Sequence, residues 1–468
     1  MERPGRRLPA RQQESPPART GGRRGLRGRP QWGTVVAFGL VSLATDMVSD
    51  GARPLGGPLL AQLGASALFV GLVTGAAEAA AQGLRLVFGP WADRTGKYWT
   101  FTMAGYVLTA VCVPLLALAP LAGSAGLALA AALLIGDRVG KAVRSPAKTV
   151  LLAAAAGPVG RGRGFAVHKS LDLAGALLGP LLVSAVLVAT GSLSAAFAVL
   201  VFPAAAALAI LVWLRRRVPD PGDVPAAPVA AVTEFPADAA APGSAPGSVP
   251  ASAPGSSPAS SSGSVLLPAN GSRPASVFSG AFVLFAAAAF FWSAGLVAFG
   301  VISYHLTADV AVPVSVVPLL YAAAMGAAAV GALASGVLYD RAGAAVLLGL
   351  PVLIAGVPVL ALAPSAGLVL AGVLVWGAAT GIQDSTVKAL VADLVPQPRQ
   401  GTAYGVFAAF EGAGALAGGV LYGSLYGARP VLIAAVAALQ AAALVLLLIT
   451  LRRSRRPSAG HGRAEART

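Results

Sequence analysis

The sequence contains little charge, one cysteine and few histidines. Only 11% of its 468 residues are charged, and 56% are hydrophobic. The sequence has one cysteine, Cys112, and three histidines. A single cysteine cannot form an intrachain disulfide or a thiolate metal cluster. Soluble globular chains carry about 25% charged residues, so this composition excludes an ordinary soluble domain and indicates a membrane protein.

Motifs for catalysis and nucleotide binding are also missing. The sequence has no histidine pair at metal-binding spacing, no Gly-rich phosphate loop with Lys and Ser or Thr, and no nucleophile beside an obvious base. We therefore expect no enzymatic activity, no cofactor and no metal. The missing nucleotide motif argues against direct use of ATP.

Long apolar runs fill most of the chain. A spanning helix needs roughly 20 mainly apolar residues, and about twelve runs meet that criterion. The fold class we expect is therefore an all-α membrane protein with about twelve transmembrane helices. No run of comparable length is polar enough to build a separate soluble domain.

The charged and Pro-rich segments divide the chain into two halves. A basic arm (1–32), a Pro/Ala/Gly/Ser-rich linker (218–277) and a basic tail (452–468) flank two predicted six-helix bundles, 33–217 and 278–451. The formal charge of +16 lies outside the apolar runs, which argues against a nucleic-acid partner. Lys and Arg recur in alternate loops, which predicts that the arm, linker and tail are cytoplasmic in a cell membrane.

The two bundles contain a repeated sequence. In the first half the stretch "GPWADRTGK" (89–97) follows the second predicted helix, and "GVLYDRAG" (336–343) occupies the same place in the second. "RGFAVHKSLDLAGALLG" also aligns without a gap to "TAYGVFAAFEGAGALAG", which pairs Asp172 with Glu411 and Gly175 with Gly414. These matches predict two pseudo-symmetric bundles in parallel orientation.

These motifs resemble the major facilitator superfamily of secondary transporters, over nearly everything from about residue 33 to 452. "GPWADRTGK" is similar to the family's loop after helix two, "GDRVGKAVR" to its basic helix-four signature, and "GALLGP" to the Gly-x-x-x-Gly-Pro signature of proton-driven drug antiporters. The resemblance implies a conformational latch in the repeated turn; a fixed turn is the alternative. The latch residues would be Gly89, Asp93, Arg94, Gly96, Lys97, Asp340 and Arg341.

Charged residues inside the apolar runs are the candidates for proton coupling or substrate binding, because each is costly to insert into a bilayer. They are Asp46, Asp50, Arg53, Glu78, Arg144, His168, Asp172 and Glu411. Ion pairs such as Asp50 with Arg53 or Lys169 with Asp172 are the structural alternatives. Among the acids, Asp50 and Glu78 fit a coupling role best, since both fall near the middle of their helices.

The function that we expect is proton-coupled export of an apolar or amphipathic small molecule by a monomeric transporter. Aromatic residues on the seventh helix, among them Phe290, Trp292 and Phe299, are candidate substrate contacts. Proton-coupled uptake would use the same acids, and a nontransporting receptor on the same scaffold is a further alternative.

Overall fold

The computed structural model describes residues 29–218, 279–395 and 400–454, and within them the chain is almost entirely helical with no strand. The predicted arm, linker and tail lie almost wholly outside the described residues. The helices of the first half are α1 Arg29–Ala52, α2 Gly56–Gln62, α3 Ala67–Gly83, α4 Arg85–Thr95, α5 Tyr98–Leu115, α6 Gly126–Ala156, α7 Arg161–Thr190, α8 Leu193–Ala198 and α9 Val201–Arg215.

The helices of the second half are fewer because most spans there are continuous. They are α10 Gly280–Gly295, α11 Phe299–Ala308, α12 Val317–Ala342, α13 Gly349–Ala361, α14 Ala366–Leu394, α15 Gln400–Ser424 and α16 Arg429–Ser454. We number the membrane spans in chain order. Spans 1, 2, 6 and 7 consist of α1–α2, α3–α4, α8–α9 and α10–α11, and every other span is one helix.

Hydropathy and length identify ten membrane-spanning segments among the described residues. One of them, Val317–Ala361, contains both α12 and α13 and is therefore two spans. The 31-residue helix α6 is long enough to span a membrane and apolar at its start, but it carries Asp137, Arg138, Lys141, Arg144 and Lys148, so hydropathy alone does not identify it. When Val317–Ala361 is counted as two spans and α6 is added, the described helices form twelve spans, as predicted.

Spans 1 and 7 are both interrupted near their centres. In span 1, Pro54 lies in the 3₁₀ turn between α1 and α2, where its missing N–H removes one backbone hydrogen bond of the helix. The interruption of span 7 leaves backbone carbonyl groups without a hydrogen bond from the helix, and side chains of other spans donate hydrogen bonds to them instead. Trp376 Nε1 donates to the carbonyl of Val297 at 2.8 Å, and the Tyr422 hydroxyl donates to that of Gly295 at 2.7 Å.

The internal repeat is visible as one helix contact made twice. Gly175 of span 5 packs so closely on span 1 that a Cβ would overlap the carbonyl oxygen of Leu43. Gly414 of span 11 meets the carbonyl oxygen of Phe290 in span 7 in the same way. Small residues allow such close backbone approach in membranes, where no hydrophobic force drives helices together.

The two halves meet closely at the end of the bundle away from the turn that holds Arg94. We call the Arg94 end the basic face and the other end the opposite face. Near the opposite face, Gly57 of span 1 abuts the backbone of Gly300 in span 7, and Gly71 of span 2 abuts that of Gly419 in span 11. Backbone contacts of this kind close the opposite face.

Candidate transport pathway

A buried charge network lies where spans 1, 2 and 8 meet. Arg53 forms an ion pair with Glu78, and its Nη1 lies 3.8 Å from Asp50 Oδ1. The Tyr321 hydroxyl donates to Asp50 Oδ1 at 2.9 Å and accepts from Arg53 Nη1 at 3.3 Å. The structure therefore places Asp50, Arg53 and Glu78 together in one network, and adds a tyrosine that the sequence did not single out.

Tyr321 belongs to the second half, whereas its polar partners belong to the first. Its side chain is fully buried, with its ring packed edge-on against Phe299 at 4.7 Å and tilted against Trp376 at 6.3 Å between centroids. Rigid packing on one side and hydrogen bonds to Asp50 and Arg53 on the other make Tyr321 a direct link between the halves. A tyrosine within an Ala-rich span was the available sequence signal.

A cavity of about 50 Å³ opens beside this network. That volume holds a few water molecules or one small polar group, so a whole substrate enters only if the halves separate. Its polar lining includes Ser49, Arg53, Glu78, Asp137 and Arg138. Its apolar lining includes Val73, Val113, Leu116, Leu134 and Phe299.

Asp137 and Arg138, which are neighbours in span 4, differ in how many of their polar atoms are hydrogen-bonded. The Asp137 carboxylate accepts a hydrogen bond from Ser49 Oγ at 2.9 Å, and its Oδ2 lies 3.7 Å from Arg138 Nε. The two terminal nitrogens of Arg138 meet no hydrogen-bond acceptor among the described residues. Arg144, two turns further along, donates to Thr109 Oγ1 at 2.7 Å and lies over the Tyr106 ring.

A second acidic site lies nearer the basic face, between spans 1 and 5. The carboxyl groups of Asp46 and Asp172 lie close enough for each to contribute to the electrostatic environment of the other. Lys169 Nζ lies 2.6 Å from Asp172 Oδ2, and its side chain is 64% exposed. The pair is therefore buried on one side and next to a solvated ammonium group on the other.

The packing of spans 1 and 5 explains why these acids meet. One turn before them, Ser42 Oγ lies 3.4 Å from His168 Nε2, and both helices advance by four residues to reach Asp46 and Asp172. Lys148 Nζ also donates to Ser42 Oγ, at 3.0 Å. His168 is buried, and its Nδ1 has no partner among the described residues.

The equivalent place in the second half is occupied differently. Ser293 follows Phe290 in span 7 as Asp46 follows Leu43 in span 1, and Glu411 aligns with Asp172. Gln383 of span 10 donates to Glu411 Oε1 at 2.7 Å and to Ser293 Oγ at 3.4 Å. An amide thus bridges the second-half positions that correspond to the two acids.

The repeated turns lie at the basic face with their charged side chains exposed. Asp93, Arg94, Asp340 and Arg341 are all exposed, and the Tyr98 hydroxyl donates to Asp93 Oδ1 at 3.2 Å. Gly96 and Gly343 follow the two helices with φ of 65° and 63°, a left-handed conformation that favours glycine. Lys97 is exposed, and Gly89 packs near Pro146 of span 4.

The aromatic residues of span 7 divide between the core and the cavity. Trp292 is fully buried and packs against Phe285 and Phe407 in the core of the second half. Phe299 lines the cavity instead, beside the interruption of the span. The structure thus brings Phe299 to the charge network and directs Trp292 away from it.

A polar cluster on the opposite face was not anticipated from the sequence. His305 Nδ1 lies 3.0 Å from Asp309 Oδ2 and 2.8 Å from Tyr426 Oη, while His305 Nε2 donates to the carbonyl of Ala363 at 3.0 Å. Burial, followed by the hydrogen bond to Asp309, raises the pKa of the Tyr426 hydroxyl. The cluster ties together three loops of the second half.

The sequence matches the model of the Major Facilitator Superfamily over residues 36–367 and 281–467. It is 45% identical over 418 residues to an uncharacterized protein of Mycobacterium tuberculosis, covering 89% of this chain and 92% of that one. An uncharacterized MFS-type transporter of Methanocaldococcus jannaschii is 28% identical over 145 residues, which cover 31% of this chain and 35% of that protein.

Solved structures show the same fold at low sequence identity. A bacterial homologue of the human lysosomal transporter Spinster, in an inward-facing conformation, has a TM-score of 0.59 at 14% identity and covers 91% of this chain and 96% of its own. The nucleoside transporter NupG has a TM-score of 0.58 at 13% identity and covers 91% and 100%. This chain belongs to the Major Facilitator Superfamily, and its family and fold together support a secondary transporter of a small molecule.

Proposed function

We propose that this protein exports an amphipathic small molecule across the cell membrane in exchange for protons. The observation that carries the proposal is that Asp46 and Asp172 lie side by side across spans 1 and 5, one turn beyond the 3.4 Å contact between Ser42 Oγ and His168 Nε2. Two carboxylates this close repel each other strongly in a low-dielectric interior, and a hydrogen bond between them requires a proton. The pair therefore holds one exchangeable proton.

The surrounding contacts indicate which acid holds that proton. Asp172 accepts a hydrogen bond from Lys169 Nζ, and an ammonium partner favours the carboxylate form, so in this proposal Asp46 is the acid that takes up the proton. Asp50 and Glu78, which the sequence favoured, are each bonded to Tyr321 or Arg53. In this proposal Asp46 carries the proton, and the Asp50–Arg53–Glu78 network responds to it from one turn away.

Tyr321 connects this proton site to alternating access. For the opposite face to open, spans 1 and 8 must separate, and the hydrogen bonds of Tyr321 to Asp50 and Arg53 must break. A change of charge at Asp46 acts on Asp50 and Lys141, which lie close enough to contribute to its electrostatic environment. Export, and not uptake, is the direction favoured by the resemblance of "GALLGP" in span 5 to drug antiporters.

The experiment is a substrate screen in proteoliposomes with an imposed pH gradient in either direction. The panel contains amphipathic cations, anions and neutral compounds of matched size. An antiporter accumulates its substrate when the lumen is acidic, because protons leave as substrate enters. Accumulation with an acidic exterior instead would establish proton symport, and no accumulation in either gradient would contradict proton coupling.

The orientation in the membrane is part of the proposal and has its own test. Lys and Arg in alternate loops support a cytoplasmic basic face, with the linker on the same side. Cys112 is the single cysteine of the sequence, so Ala245→Cys in a Cys112→Ala background introduces the only thiol. An impermeant maleimide should label it in inverted vesicles and not in intact cells. Labelling from outside intact cells would overturn the orientation.

A further inference from the structure

Among the described residues that line the cavity, Arg138 is the one charged side chain whose hydrogen-bonding groups are largely unfilled. Its side chain is 7% exposed, and its single ion-pair contact among the described residues is the 3.7 Å approach of Nε to Asp137. A guanidinium carries five N–H donors in a planar fork that matches two oxygens of one anion. Buried polar groups are normally hydrogen-bonded, so this fork requires an acceptor.

The acids around the cavity have partners of their own and make no hydrogen bond to the terminal nitrogens of Arg138. Glu78 is paired with Arg53, and Asp50 accepts from Tyr321. Asp137 accepts from Ser49 through Oδ1, and faces the Nε edge of Arg138 with Oδ2. The terminal nitrogens of the Arg138 fork therefore lack an oxygen acceptor among the described residues.

The apolar lining of the cavity indicates what the rest of the ligand is like. Opposite the polar groups, the cavity is lined by apolar side chains from spans 2, 3, 4 and 7, including Val73, Val113, Leu134 and Phe299. The volume of about 50 Å³ accommodates a carboxylate or a similar head group in this conformation. An apolar body of the ligand would occupy the space that opens between the halves.

We infer that Arg138 binds the oxyanion of the substrate, and that the substrate is an amphipathic organic anion with a carboxylate or phosphate head group. This inference rests on the proposed transport function and narrows its substrate class. The two terminal nitrogens of Arg138 bind two oxygens of the head group, and the apolar wall receives the hydrocarbon part. Arg53 remains bound to Glu78 and sets the charge of the site.

The test measures binding without any pH gradient, in full-length protein reconstituted in nanodiscs. The probe is radiolabelled hexanoate, with hexyl phosphate, hexanamide and hexylammonium as unlabelled competitors of equal chain length. Hexyl phosphate should compete with hexanoate, whereas hexanamide and hexylammonium should not. This comparison uses wild-type protein alone, so it stands even if a variant fails to fold.

Variants then locate the binding group. Arg138→Gln should weaken hexanoate binding at least about tenfold, and Arg138→Lys should give an intermediate loss because the charge stays but the fork is removed. The matched control is Arg217→Gln, since Arg217 packs on Trp213 in span 6, away from the cavity. Unchanged binding in Arg138→Gln, or equal competition by hexylammonium, overturns the inference.

The outcomes separate this inference from the proposed function. If hexanoate binds through Arg138 but no compound of the transport panel follows a pH gradient, proton coupling fails and the site stands. If compounds are accumulated but neither hexanoate nor hexyl phosphate binds, the substrate class is wrong and proton coupling stands.

Discussion

The two halves place different chemistry at the same position of one scaffold. In the first half, Asp46 and Asp172 bring two carboxyl groups together between spans 1 and 5. In the second half, Ser293 and Glu411 occupy the matching places, and Gln383 bridges them. An amide neither takes nor gives a proton near neutral pH, whereas a carboxyl pair does. The comparison teaches that the two halves share a fold but not the polar groups at this position, and that in the proposed function only the first half exchanges protons.

The largest expected effect comes from neutralising the carboxyl pair. In Asp46→Asn the amide can still donate a hydrogen bond to Asp172 but cannot release a proton. Coupling free energies of 1–3 kcal/mol correspond to 5–150-fold, so we expect pH-driven accumulation in proteoliposomes to fall by at least about tenfold. Downhill exchange of substrate should persist in part.

The matched control for this substitution is Glu411→Gln in the second half, which should leave pH-driven accumulation close to that of wild type. Equal losses in the two variants would break the comparison, because they would show that both halves exchange protons. Both proteins should be compared at the same level in the membrane.

A second effect tests the scaffold that the halves share. Gly175→Ala and Gly414→Ala each place a Cβ against a backbone carbonyl of the neighbouring span. Overpacking of this kind costs about 1–3 kcal/mol, so both variants should unfold at lower temperature by similar amounts. Thermal denaturation of purified protein measures this, and Gly326→Ala, where a Cβ meets nothing within 4 Å, is the control. A large loss for Gly326→Ala would discredit the packing argument.

A smaller effect distinguishes the two repeated turns. Asp93→Asn should slow transport by about fivefold through loss of a state-dependent charged contact, a free-energy change of about 1 kcal/mol. Asp340→Asn, in the second copy, should slow it less because that copy of the motif is weaker. Initial rates in proteoliposomes measure both, with substrate binding as the control for folding. Normal transport by folded Asp93→Asn would show that the turn is only structural.

The smallest effect is expected where the halves meet, in Tyr321→Phe. This variant keeps the ring packing on Phe299 and Trp376 but removes the hydrogen bonds to Asp50 and Arg53. Hydrogen bonds between membrane helices average about 0.6 kcal/mol, and the 3.3 Å bond from Arg53 is longer than usual and adds little, so opening of the opposite face should become about threefold more frequent.

The readout for Tyr321→Phe is maleimide labelling of Ser184→Cys in a Cys112→Ala background. Ser184 is buried and its hydroxyl donates to the carbonyl of Ser315 across the halves at 2.7 Å, so labelling reports separation at the opposite face. A labelling rate equal to that of the protein with Tyr321 would show that the network does not hold this face closed.

The sequence predicted which charged residues belong to the site, but it did not predict which of them contact each other. The acids and bases of spans 1, 2, 4 and 5 stood out because charge is rare in apolar helices. Their pairing depends on helix packing across spans, and spacing within one helix does not reveal it. Arg53 is close in sequence to Asp50 but forms its closest ion pair with Glu78 of another span.

By itself the sequence determined the fold class, the twelve spans and the repeat, because hydrophobic length and motif recurrence are properties of single segments. The tertiary structure alone decided which acids touch, since that depends on the register of spans 1 and 5 fixed by Gly175 against Leu43. It also brought Tyr321 of span 8 to Asp50 of span 1, a contact between residues 271 positions apart. No local pattern encodes such a contact, because only the packing of whole helices brings the two side chains together.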